Sequence, residues 1–149
     1  MKKIFLASFF FMIIISCSNK NFENQIVKNI DKKLENNSCL IKMKDITTFP
    51  WDKMYVFKYT ATLEQIENTV GTPLPKYTEF TRKIIFTLNG KIIYFEEEET
   101  DIEDLLNKEV VFNIPDSLNY LCFLIDKATF NVKIKNFEKG KFYDLNQIK

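Results

Sequence analysis

Ile84-Ile85-Phe86-Thr87-Leu88-Asn89-Gly90-Lys91-Ile92-Ile93-Tyr94-Phe95 is the stretch on which the fold turns. Two runs of β-branched and aromatic residues flank Asn-Gly, the pair that accepts positive φ at both central positions of a type I′ turn and so predicts a two-residue hairpin. That register sets Leu88 opposite Lys91, Phe86 opposite Ile93, Lys83 opposite Glu96 and Arg82 opposite Glu97. Opposite charges facing each other across the strands support it independently.

Outward from the hairpin, residues 96–104 carry seven carboxylates in nine positions. Oxygen ligands suit calcium, but the run lacks the alternating acidic loop and its glycine, so no metal is assigned. Thr100 and Glu103 instead carry the spacing of a capping box, which predicts a short helix over residues 102–107 with acids at its N-terminus. On the upstream side, Thr62-Leu63-Glu64-Gln65 has the same spacing, Leu63, Ile66 and Val70 share one helical face, and Gly71 with Pro73 closes the segment. Cys39 to Ile46 and Lys53 to Tyr59 read as strands separated by a turn at Phe49-Pro50-Trp51-Asp52. Before them Phe22, Ile26, Ile30 and Leu34 recur every four residues with Val27 alongside, which predicts an amphipathic helix ending near Asn36-Asn37.

Downstream, residues 109–114 suggest a strand that Pro115-Asp116-Ser117 interrupts. Residues 120–125 and 129–135 form a second hairpin candidate with its loop at Asp126-Lys127, Phe123 facing Phe130 and Leu121 facing Val132. Phe142-Tyr143-Leu145 supplies a last edge strand after Gly140. The expected class is α+β: a mostly antiparallel sheet with an N-terminal helix and two short helices packed on one face. No Gly/Pro/Ser-rich linker interrupts residues 38–149 and no internal repeat is present, so residues 22–149 are expected to form one domain around a single core.

The beginning of the chain is different in kind. Met1-Lys2-Lys3 is a basic head, and Ile4 to Ile15 is an almost unbroken apolar run, shorter than the roughly 20 residues that span a bilayer. It ends in Ile14-Ile15-Ser16-Cys17, which resembles the lipobox of bacterial lipoproteins. That resemblance implies a signal peptide over residues 1–16, lipidation of Cys17, a short tether over 17–21 and a domain held at the membrane. Multiple acyl chains on the cysteine satisfy the need for more than one chain in stable anchoring. Ser18 rather than Asp follows the cysteine, which by the same resemblance implies the outer membrane, with the domain facing the periplasm of the cell envelope.

Composition narrows the chemistry. The chain has no histidine, which excludes His-dependent triads, His-ligated zinc and an imidazole base. Gly71, Gly90 and Gly140 stand too far apart for a phosphate loop or dinucleotide fingerprint, so no cofactor is expected. Loss of the leader removes two lysines and leaves 19 basic against 20 acidic residues, a balance that speaks against nucleic acid. A carboxylate dyad would need two acids across a cleft, which a run of neighbours does not show. Cys39 and Cys122 remain as a pair that an oxidising compartment would permit to bond, or as two small buried hydrophobes.

Aromatic residues make up 15% of the chain, more than one small core takes in, so some are expected at the surface. Trp51, Tyr55 and Tyr59, on or beside one strand, are candidate partner contacts, as are Glu97, Glu98 and Glu99; the alternative for Trp51 is to plug the sheet end. The segment from Trp51 to Tyr59 with Leu63-Glu64-Gln65-Ile66 resembles a pattern in small uncharacterised bacterial lipoproteins, which implies no activity. The expectation is a non-enzymatic, protein-binding envelope lipoprotein of the immunity, inhibitor or assembly-accessory kind. The alternative is a carrier of a small apolar ligand or lipid in an internal pocket.

Overall fold

The computed structural model describes residues 22–33, 38–99, 110–137 and 140–148. Among them are two helices, α1 (Phe22–Lys33) and α2 (Leu63–Val70), and eight strands: β1 (Ser38–Lys42), β2 (Lys53–Phe57), β3 (Thr81–Leu88), β4 (Lys91–Glu99), β5 (Val110–Phe112), β6 (Tyr120–Leu124), β7 (Thr129–Phe137) and β8 (Gly140–Gln147). They form two four-stranded sheets, one ordered β1-β7-β8-β5 and the other β4-β3-β2-β6. All pairings are antiparallel except β5 with β8. The α+β expectation of one sheet carrying three helices on one face is therefore corrected: the protein is mostly β. The helix expected over residues 102–107 falls outside the described residues.

The expectation failed because the chain changes sheets where the sequence suggests a simple turn. β6 and β7 do not form a hairpin. At residues 125–127 the Ile125 N–H donates to Asp52 C=O (3.0 Å) and the Ala128 N–H to Leu124 C=O (3.0 Å), which turns a corner from β6, paired with β2, to β7, paired with β1 and β8. Phe123 and Phe130 still meet, with ring centroids 5.0 Å apart and edge to face. They meet across the gap between two sheets instead of along one.

The Asn89-Gly90 hairpin is present, with φ of 52° and 74° at its two residues and Leu88 opposite Lys91. Beyond that first pair a β-bulge intervenes between Phe86 and Thr87: Thr87 faces Ile92, Phe86 faces Tyr94, and Ile93 is the extra residue. Lys83 consequently faces Glu97 and Arg82 faces Glu98, each one position beyond the register expected from an unbroken hairpin. The bulge lets Tyr94 stack on Phe49 (5.3 Å) beside Phe86 and leaves Ile93 at 41% exposure.

Period-2 alternation then sorts the residues of β3 onto two faces. Ile84 and Phe86 join Met54, Val56 and Phe123 against Ile41, Phe130, Val132 and Leu145 of the other sheet, and the α1 stripe Phe22, Ile26 and Ile30 is fully buried in this inter-sheet core. On the outer face of the same sheet Ile85, Tyr55 and Phe57 form a second core with Ile66 and Val70 of α2. α2 has the capping box its sequence announces, Thr62 Oγ1 accepting from Gln65 N–H (3.3 Å) and Gln65 Oε1 from Thr62 N–H (3.1 Å), and it ends at Gly71 with φ 81°. The result is three layers, with the β4-β3-β2-β6 sheet in the middle.

Candidate functional site

Adjacent residues on a strand point to opposite faces, and Arg82 and Lys83 carry buried positive charge into both. Arg82, 8% exposed, enters the inter-sheet side, where it pairs with Glu23 at the start of α1 and with Glu98 (2.5 Å) and donates to Val110 C=O (2.9 Å). Its Nε has no hydrogen-bond partner among the described residues. Beside it Glu96 accepts the Phe22 N–H (2.8 Å) and the Tyr94 hydroxyl proton, so the beginning of α1 is held by three carboxylates and one guanidinium. Lys83 is fully buried on the other face, donating to Thr78 C=O, Thr81 C=O and Thr81 Oγ1 at 2.8–2.9 Å and lying 4.5 Å over the Tyr77 ring. Burial pushes its pKa down, and Glu97, 3.9 Å away, pulls the other way.

This accounting moves most of the candidate partner residues into the fold. Glu97 is occupied by Lys76, Lys83 and both polar groups of Thr78, and Glu98 by Arg82. Glu99 stands opposite Thr81 in the backbone register at the strand end. Trp51 is 3% exposed, packs edge to face on Phe86 (5.0 Å) and donates from Nε1 to Thr47 Oγ1 (2.8 Å): it plugs the inter-sheet core. Tyr55 is buried under α2 against Phe57, and burial beside Cys122 pushes its phenol up to about 12. Tyr59 is the one of the three aromatics at the surface.

The cysteine pair does not bond. Cys39 on β1 packs against the inter-sheet core, whereas Cys122 on β6 is exposed beside Tyr55 on the far face of the other sheet, and both are free thiols. The thickness of a sheet separates them. Desolvation raises both thiol pKa values, against Lys33 at Cys39 and against Tyr55 and Lys53 at Cys122.

Among the exposed large apolar side chains, Tyr120 and Leu124 lie together on β6. Lys58 N–H donates to Asn119 C=O (2.9 Å) and Ile125 N–H to Asp52 C=O, which fixes the odd-numbered residues of β6 as those bonded to β2. The backbone groups of Tyr120 and Cys122 therefore point out of the sheet, and among the described residues no strand pairs with that edge. The side chains of Tyr120, Cys122 and Leu124 stand on the α2 side but beyond the cover of α2, with Leu124 at 54% exposure. Tyr120 stacks on Phe57 (5.3 Å), and Tyr59 and Leu118 are exposed nearby in the chain. An uncharged edge strand with open hydrogen-bonding groups is a template for another strand. Sequence reasoning missed it because residues 120–125 read equally well as one arm of a hairpin.

Among the described residues no group of three or more Cys, Asp or Glu is arranged to hold a metal ion, and no helix is long and apolar enough to cross a membrane. No protein-family model, no curated protein and no solved structure matches the chain.

Proposed function

We propose that the protein is a lipid-anchored, non-catalytic binding module of the bacterial cell envelope. It is held at Cys17 in the outer membrane facing the periplasm, and it captures a protein partner as an immunity protein, inhibitor or assembly accessory does. The observation that carries this reading is the open, uncharged β6 edge with Tyr120, Cys122 and Leu124 exposed along it. Binding is favoured over carriage of an apolar ligand because the inter-sheet space is occupied by Phe22, Met54, Phe86, Phe123 and Phe130, all at or below 1% exposure. A partner strand laid on β6 would satisfy the outward N–H and C=O groups and cover the exposed side chains at once.

The test uses the full chain, tagged at its C-terminus and purified from membranes with whatever it holds. A stoichiometric protein should co-purify, protect the β6 amides from hydrogen exchange, and be lost from Leu124→Lys while the melting temperature stays unchanged. Lipid in place of protein, or a partner that survives Leu124→Lys and leaves β6 unprotected, would overturn the reading.

A further inference from the structure

Two local irregularities of the β3–β4 hairpin each turn a large apolar side chain outward. Phe80, immediately before β3, has φ of 56° and is 69% exposed. Positive φ is a genuine outlier for a bulky residue. Ile93 is the bulge residue of β4; without the bulge it would face Phe86 and enter the core, and with it the side chain is 41% exposed. Bulges are a device for re-aiming a side chain. The two lie toward opposite ends of the same hairpin, and among the described residues β4 is an edge strand.

Between them the chain is pinned by its own beginning. Phe22 N–H donates to Glu96 in β4, and the Phe22 ring lies against Tyr94 (6.1 Å) and Phe86 (5.0 Å). Four residues lie between Cys17 and Phe22, five Cα–Cα steps with a contour of at most about 18 Å. A lipid on Cys17 therefore holds the β4 edge within that distance of the membrane surface. Of the acids of this region, Glu97 is countered by Lys76 and Lys83 and Glu98 by Arg82, whereas Glu79 beside Phe80 is exposed.

We infer that the domain stands on the membrane by its β4 edge, with Phe80 and Ile93 entering the lipid interface as contacts additional to the acyl anchor. The inference rests on the lipidation of Cys17. Three inter-strand spacings of about 4.8 Å separate β4 from β6, so this orientation turns the open β6 edge away from the bilayer, where a periplasmic partner reaches it.

The experiment uses the full chain, matured in cells, purified and reconstituted in phosphatidylethanolamine–phosphatidylglycerol vesicles with brominated acyl chains. Trp51 is the single native tryptophan and is buried, so its emission serves as background. Phe80→Trp and Ile93→Trp should each lose about half of the added emission relative to unbrominated vesicles, as a ring 5–10 Å into the interface would. Leu124→Trp, on the opposite edge, should lose none. Floating protein with Phe80→Trp and Ile93→Trp unquenched, or with Leu124→Trp quenched equally, overturns the orientation while leaving the anchor intact. Protein that does not float with the vesicles overturns the anchor and the orientation together.

Discussion

Neutralising Glu97 should destabilise the protein, because its carboxylate is the charge partner of a fully buried ammonium. The Lys83 side chain is 0% and the Glu97 side chain 6% exposed, with Nζ and Oε1 3.9 Å apart. Removing one member of such a pair costs about 3–5 kcal/mol when the other is left uncompensated. Two features reduce that figure. Lys83 keeps three oxygen acceptors on Thr78 and Thr81, and the amide oxygen of Glu97→Gln can still accept from Thr78. The expected loss is about 2 kcal/mol, or roughly 6–10 °C in melting temperature for a domain of this size. Denaturant unfolding followed by the emission of Trp51 measures it.

The pH dependence has a definite sign. Lys83 is already held below the ordinary lysine value by burial. Between its lowered pKa and the ordinary one, the unfolded chain binds a proton that the folded chain does not, so stability rises with pH across that window. Without the Glu97 charge the pKa falls further and the window opens toward neutrality, so the loss in Glu97→Gln should shrink as pH is raised. Adding Lys83→Met to Glu97→Gln should restore part of the stability by removing the stranded charge. A Glu97→Gln change within about 0.5 kcal/mol of wild type, the range of an ordinary surface substitution, would refute the reasoning.

Arg82→Met removes the guanidinium that pairs with Glu23 and Glu98 and should cost about 3–5 kcal/mol; faster hydrogen exchange at the α1 amides would show that the helix is released, and unchanged α1 protection would contradict its latch role. Thr62→Ala removes the α2 cap and should cost about 1 kcal/mol in a denaturant titration, with a neutral result placing the capping box outside the energetics of the fold. Cys122 is exposed with a raised thiol pKa, so it should label slowly with a disulfide reagent near neutral pH and faster as the solution is made alkaline; a rate independent of pH would contradict that.

Much of the fold was legible where the signal is local. Asn89-Gly90 fixed a turn because few dipeptides tolerate positive φ twice, and Thr62 with Gln65 fixed a helix start because both side chains reach backbone donors. What was not legible depends on distant partners. Ile92 and Ile93 are chemically alike, so nothing local says which becomes the bulge, and the run of glutamates disguises the resulting shift because another acid always falls opposite each base. Apolar strands such as β6 and β7 announce their faces but not their sheet, and that choice, made at the 125–127 corner, separates a single layered sheet from two. The candidate site was half legible for the same reason. Trp51, Tyr55 and Glu97 were singled out by residue type, and burial decided against their availability; of the three candidate aromatics Tyr59 alone stayed outside.

Both the proposed function and the proposed orientation require a chain cut before Cys17 and acylated there. Intact-mass measurement of the protein purified from membranes addresses this directly. The account predicts a species lacking residues 1–16 and heavier than the remaining sequence by its acyl chains. A chain that retains Met1, or one that begins at Cys17 with no added mass, would contradict it.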